Sequence, residues 1–150
     1  MRSITGSDVD LSTFAGQACL VVNVASECGL TPHYEGLVEL HESRDDVTVL
    51  GFPCNQFGAQ EPGTDEQVCE FAQSRYDVTF PMFSKIDVNG PERAPLYDLL
   101  TSAQPGDGES SDIQWNFEKF LVDGSGAVVK RWSPMTAPAD IAAELDDLLA

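Results

Sequence analysis

Residues 19–32 read Cys-Leu-Val-Val-Asn-Val-Ala-Ser-Glu-Cys-Gly-Leu-Thr-Pro, and their order decides the fold class. Cys19 to Ala25 is a β-branched apolar run of strand length, which predicts a buried strand. Thr31-Pro32 opens a helix. Threonine can cap the first turn, and proline at the first helical position gives up only an N–H that would be unpaired anyway. Beyond it, Tyr34, Leu37, Val38 and His41 fall at i, i+3, i+4 and i+7 and share one face. A buried strand that turns into an amphipathic helix is a building unit of α/β folds.

The same alternation continues downstream. Val47 to Phe52 (VTVLGF) predicts a second buried strand. A helix opens at Thr64, with Gln67 three residues on as a capping box and Val68, Phe71, Ala72 and Tyr76 as its apolar face. A short strand is expected around Met82 to Val88, and a helix from Pro95 to Thr101. Phe117 to Val122 and Ala127 to Trp132 flank Asp123-Gly124-Ser125-Gly126 and read as a β-hairpin. A last helix begins near Pro138, with Ile141, Leu145, Leu148 and Leu149 facing inward. The expectation is an α/β fold: a central mixed sheet flanked by helices on both faces. Thioredoxin-like folds have this order of elements, although periodicity alone leaves other small α/β folds open. Ser102 to Asp112 is loop by composition and too short to separate domains, so residues 1–150 read as one domain.

Charge narrows the class of partner. Acidic residues number 25 against 8 basic ones, a formal net charge of −17. Nucleic acid and anionic membrane both demand cationic surface, so neither is expected as a partner. A solvated acidic shell is the simplest account, and a high-salt cytoplasm would favour one because salt screens the self-repulsion. No apolar run is long enough to span a membrane. Met1 to Gly16 lacks the basic-then-apolar layout of a signal peptide, and the location expected is cytoplasmic. The four cysteines are Cys19, Cys28, Cys54 and Cys69. No two form Cys-x-x-Cys and no paired His completes a zinc site, so neither a metal nor another cofactor is expected. Buried or reactive thiols suit the pattern better than a disulfide framework.

Cys28 falls between a strand end and a helix start, where α/β folds place their sites. Free N–H groups and partial positive charge at a helix N-terminus stabilise a thiolate. Position alone leaves a structural thiol equally open, since free cysteines are often buried and inert. The surrounding motifs decide between the two. Residues 23–32 (NVASECGLTP), 51–62 (GFPCNQFGAQEP), 79–90 (TFPMFSKIDVNG) and 115–122 (WNFEKFLV) closely resemble the glutathione peroxidase family, in the family's order. The resemblance runs from about Leu20 to Trp132. It implies a thioredoxin-like fold and the reduction of hydrogen peroxide and organic or lipid hydroperoxides with thiol electrons. Cys28 matches the peroxidatic position, Gln60 the active-site glutamine, and Trp115 and Asn116 the Trp-Asn pair. Each side chain can donate an N–H to the departing oxygen or to the sulfur without titrating near pH 7.

The resemblance leaves the second half-reaction open. Many non-animal members carry a resolving cysteine after a Phe in the helix that follows the glutamine motif, and are recharged by thioredoxin. Here that position is Ala72. Cys69 lies three residues earlier, about 60° away around the helix axis. It reads either as a resolving thiol acting from a neighbouring position or as core packing. A Cys28–Cys69 bond needs Cα atoms within about 7 Å, which implies unwinding of the helix. Cys54 reads as packing. Thioredoxin is the favoured reductant over glutathione, because the overall negative field repels an anionic thiol. Family members usually begin with a longer N-terminal strand pair, so the sheet edge at Met1 to Gly16 is expected to be incomplete or rearranged. The short 102–112 loop favours a monomer. Neither His33 nor His41 is expected to be catalytic. Two competing readings are a peroxide sensor that relays oxidation from Cys28 to a partner protein, and a thioredoxin-like binding domain without activity.

Overall fold

The computed structural model describes all residues 1–150. Strand β1 (Ala18–Val24) is buried at every position, as its apolar run, interrupted only by Asn23, requires. It pairs in parallel with β2 (Val47–Pro53) and antiparallel with β3 (Lys119–Val122), which in turn pairs antiparallel with β4 (Val128–Trp132). The order β2-β1-β3-β4 makes a mixed sheet. Its parallel pair is joined through helix α1 (His33–Ser43). Helices α2 (Asp65–Tyr76), α3 (Pro95–Ala103) and α4 (Pro138–Leu148) complete the layers.

Alternation along β1 divides the core between the two faces of the sheet. Leu20, Val22 and Val24 pack with Tyr34 and Leu37 of α1, Val68 and Ala72 of α2, and Ile141 and Leu145 of α4. Cys19 and Val21 pack with Phe52, Phe120 and the α3 residues Tyr97 and Leu100. Each fully buried Leu or Phe contributes roughly 1.5–3 kcal/mol. Thr64 and Gln67 form the expected capping box on α2. The hairpin also forms, with Asp123 Oδ1 accepting from the Ser125 and Ala127 N–H groups to hold its turn.

Three local expectations are corrected. Thr31 does not cap α1. Its hydroxyl is spent on the preceding loop, and Pro32 is the N-cap residue, without a side-chain cap. Phe117 is not a strand residue. It is left-handed (φ 65°), which delays β3 to Lys119. Met82 to Val88 does not form a strand. Met82 and Phe83 make single bridges, to Gly51 and Ser3. Beyond them the Ser84 hydroxyl and the Lys85 N–H donate to the Asp65 carboxylate, which draws the backbone out of the ladder. Gly51 permits the close approach at the bridge, since a Cβ there would lie 2.6 Å from Met82 Sδ. The N-terminal segment bridges Arg2 to Asp8 and then forms a short 3-10 turn at Leu11–Phe14, so the sheet edge there is rearranged. No helix is long and apolar enough to cross a membrane.

Candidate active site

Between β1 and α1 the chain makes a tight loop whose N–H groups are held one after another. Ser26 N–H donates to Glu61 Oε1 at 3.1 Å. Glu27 N–H donates to the Gln60 carbonyl at 3.0 Å. Cys28 N–H donates to Thr31 Oγ1 at 2.9 Å, and the same hydroxyl donates to the Ala25 carbonyl at 2.9 Å. Three consecutive amides before the sulfur thus have fixed acceptors, which is how an irregular, partly buried loop satisfies its backbone. The Leu30 N–H then donates to Cys28 Sγ at 3.3 Å. Cys28 keeps only 9% exposure, so its sulfur lies just under the surface.

Gln60 and Asn116 meet beside this loop. Asn116 Nδ2 donates to Gln60 Oε1 at 3.0 Å, and Asn116 is fully buried. Because Gln60 accepts with its oxygen, its own amide N–H groups remain available to a ligand. The backbone bond from Glu27 to Gln60 ties this pair to the residue next to Cys28. Trp115 is 39% exposed and lies against Phe57, ring centroids 5.8 Å apart. Gly58 makes room for it: a Cβ there would sit 3.2 Å from the indole and 3.4 Å from the Gln60 side chain, and its φ of +67° suits glycine. Two bonds hold the Trp115-Asn116 turn to the end of β1. Asn23 Nδ2 donates to the Trp115 carbonyl at 3.0 Å, and Phe117 N–H donates to the Asn23 carbonyl at 2.7 Å.

Residues 1–101 match the family model described as glutathione peroxidase. The chain belongs to the glutathione peroxidase family. It is 50% identical to the hydroperoxy fatty acid reductase gpx1 of Synechocystis sp., covering 99% of this chain and 92% of that one. It is 48% identical to the glutathione peroxidase-like peroxiredoxin 2 of Saccharomyces cerevisiae, covering 97% and 91%. Among solved structures, T. cruzi GPX1 aligns with a TM-score of 0.78 at 38% identity, over 98% of this chain and 91% of that one. A thioredoxin-family thiol:disulfide interchange protein from Chlorobium tepidum aligns with a TM-score of 0.70 at 15% identity, over 100% and 92%, a likeness of fold. The protein is accordingly a thiol peroxidase on a thioredoxin-like fold.

The remaining thiols of this family member have different settings. Cys19 and Cys54 are buried, and burial pushes the Cys19 thiol up to about 11 and the Cys54 thiol upward. Cys69 is half-buried and lines the cleft between α2 and the N-terminal residues Arg2 to Gly6. Val68 and Phe71 of the same helix instead line the pocket that holds Ser26 and Glu27. No three His, Cys, Asp or Glu side chains are grouped to hold a metal ion. The His33 ring is held well down, at about 4, first by burial and then by the Lys119 ammonium, whose Nζ lies 2.9 Å from Nδ1. His41 accepts from the Val49 N–H at 3.2 Å and is a satisfied boundary residue.

Three contributors go beyond the sequence reading. Thr31 reads as a helix cap but serves the loop. Asn23 reads as a strand residue, although a lone amide inside CLVVNVA is a signal. Glu61 carries no signal of its own beside Gln60, yet it is fully buried, which a carboxylate almost never is unless paired.

Proposed function

We propose that Cys28 is the residue oxidised by the peroxide, with Gln60, Trp115 and Asn116 as its hydrogen-bonding partners. The thiolate attacks one peroxide oxygen, an S–O bond forms and the O–O bond breaks. The electron pair leaves on the other oxygen, which takes a proton to become an alcohol, or water from hydrogen peroxide. Cys28 becomes a sulfenic acid. One thiol then condenses with it, releasing water and forming a disulfide, and a second thiol breaks that disulfide to return Cys28. The observation that carries this reading is the Gln60–Asn116 pair, which leaves the Gln60 amide N–H groups free beside a loop that aims one N–H at the sulfur. Substrates range from hydrogen peroxide to lipid hydroperoxides. The first matched relative is named for a fatty-acid hydroperoxide.

Thioredoxin is the proposed electron donor. The pocket beside the Cys28 loop is lined by the exposed Glu27 and by no Lys or Arg, which disfavours the anionic glutathione. For Cys69 to resolve the sulfenic acid, α2 has to open, because Cys69 faces the N-terminal segment and not the loop. Four free thiols suit a reducing, cytoplasmic location, and the short 102–112 loop suits a monomer.

One experiment tests the whole scheme: NADPH-coupled turnover with thioredoxin or glutathione systems, using hydrogen peroxide and a lipid hydroperoxide. Cys28→Ser abolishes turnover in every combination, and retained activity would overturn the assignment. Peptide mass mapping after one equivalent of peroxide reads the resolving step in the same samples. A Cys28–Cys69 link supports an internal resolver, and a Cys28 sulfenic acid alone means that an external thiol resolves it.

A further inference from the structure

Glu61 is fully buried at the base of the Cys28 loop, and the scheme above gives it no part. One carboxylate oxygen, Oε1, accepts from the Ser26 N–H, while Oε2 is buried without a partner. The hydroxyl of Ser26 is likewise buried and unpartnered. Both residues line a pocket of about 340 Å³ between the loop and α2, together with Glu27, Gln67, Val68 and Phe71. Glu61 is itself anchored, since its N–H donates to Asn55 Oδ1 at 2.9 Å. A rigid path therefore runs from Asn55 through Glu61 to Ser26, two residues before the sulfur. A buried acid with half its acceptors unspent is costly, and folds that keep such groups put them at working sites.

We propose that Glu61 is a positioning residue for Cys28: its carboxylate holds the Ser26 N–H and so fixes the loop that presents the sulfur to the peroxide. This rests on the peroxidase reading of Cys28. A carboxylate accepts far more strongly than a neutral acid, so the loop is held tightest when Glu61 is ionised. Burial raises the Glu61 carboxyl to about 7, which brings this change into the working range. Its titratable neighbours are Glu27 in the loop, Tyr34 from α1, Cys54 after β2 and Lys85 from the segment after Phe83. Lys85 is the one cation, and its ammonium is spent on the Gly63 carbonyl.

The test is the second-order rate of reduced protein with hydrogen peroxide, followed from pH 5.5 to 8.5 in wild type and Glu61→Gln. Glutamine keeps an acceptor oxygen for Ser26 and removes the titration. The wild-type to variant rate ratio is expected to rise about fivefold through pH 7, the difference between a charge-assisted and a neutral hydrogen bond. Parallel profiles would overturn the proposal, because a residue that merely packs shifts the rate equally at every pH. A second readout needs no variant. The Ser26 amide proton shift in the wild-type NMR spectrum should titrate with the Glu61 carboxyl, and an invariant shift also overturns the proposal. If the wild type does not consume peroxide, or Cys28→Ser does, the peroxidase reading of Cys28 itself has failed. If Cys28→Ser is inactive while the Glu61→Gln profile parallels wild type, only the role of Glu61 falls.

Discussion

Gln60 and Asn116 illustrate how much a single side chain is asked to do here. They are hydrogen-bonded to each other, so neither holds its position alone. Removing one donor from a preorganised site costs on the order of 10²-fold in rate. Gln60→Ala and Asn116→Ala are each expected to lower kcat/KM for peroxide by about that factor. The double variant should lose much less than the product of the two, because coupled partners are not additive. Fully additive losses in a double-mutant cycle would mean that the pair does not work as a unit. Glu61 sits at the other extreme, where position is kept at a cost in stability. Its carboxyl titrates at about 7 when folded, against 4.5 for the free group. The folded state therefore binds the proton more tightly. The wild-type stability falls as pH rises from about 4.5 to 7 and is flat in this respect above that. The shift corresponds to about 3 kcal/mol between the two limits. Denaturant unfolding across that window should show wild type losing ground to Glu61→Gln, and curves that stay parallel would contradict it.

At the scale of elements, the junction between β1 and α1 is set by Thr31. Its hydroxyl accepts from Cys28 N–H and donates to the Ala25 carbonyl, both buried, so one side chain closes the loop from inside. Thr31→Val keeps the volume and leaves both backbone groups unpaired. It is expected to cost about 1–3 kcal/mol and to slow the peroxide reaction, whereas Thr31→Ser should restore most of both. Thermal melts and peroxide rates on the two variants check this, and a Val variant as stable as the Ser variant would remove Thr31 from the account. The β3–β4 hairpin anchors a different loop. Arg131 pairs with the buried Glu118 carboxylate (Nε to Oε2, 2.6 Å) and donates to the carbonyls of Gln104, Ser111 and Asp112. The polar 104–112 segment is thereby held without any secondary structure of its own.

Across the whole molecule the dominant quantity is charge. With 25 acidic and 8 basic residues, most carboxylates have no cation to pair with, and they repel one another. Surface ion pairs, such as Arg44 with Asp46 and Asp146, involve largely exposed carboxylates and add little, which sets them apart from the buried Arg131–Glu118 pair. Salt screens the repulsion within a Debye length of about 10 Å at 0.1 M. The melting temperature should therefore rise from low ionic strength to molar potassium chloride. A melting temperature unchanged over that range would show that the acidic shell carries no stability cost. The same field is expected to favour a protein reductant, which can present its own complementary surface, over a small anionic thiol.

Sequence by itself determined the elements whose signal is local. The mainly apolar run of β1, the capping box at Thr64 and the Asp-Gly turn of the hairpin all formed where their residues predicted. Periodicity and caps act over one or two turns, and they are visible without knowing what lies opposite. The four motifs also determined the family, and with it the candidate roles of Cys28, Gln60, Trp115 and Asn116. Tertiary structure alone decided where other hydrogen bonds, most of them between distant segments, would outweigh those local signals. Thr31 left its helix for the Cys28 loop, and Asp65 drew Ser84 and Lys85 out of a strand. Asn23 reached 92 residues along the chain to the Trp115 carbonyl, and Glu61 reached 35 residues back to Ser26. Asn23 and Glu61 are buried polar groups whose partners are remote in sequence. Burial makes pairing obligatory, but only the folded chain says with whom.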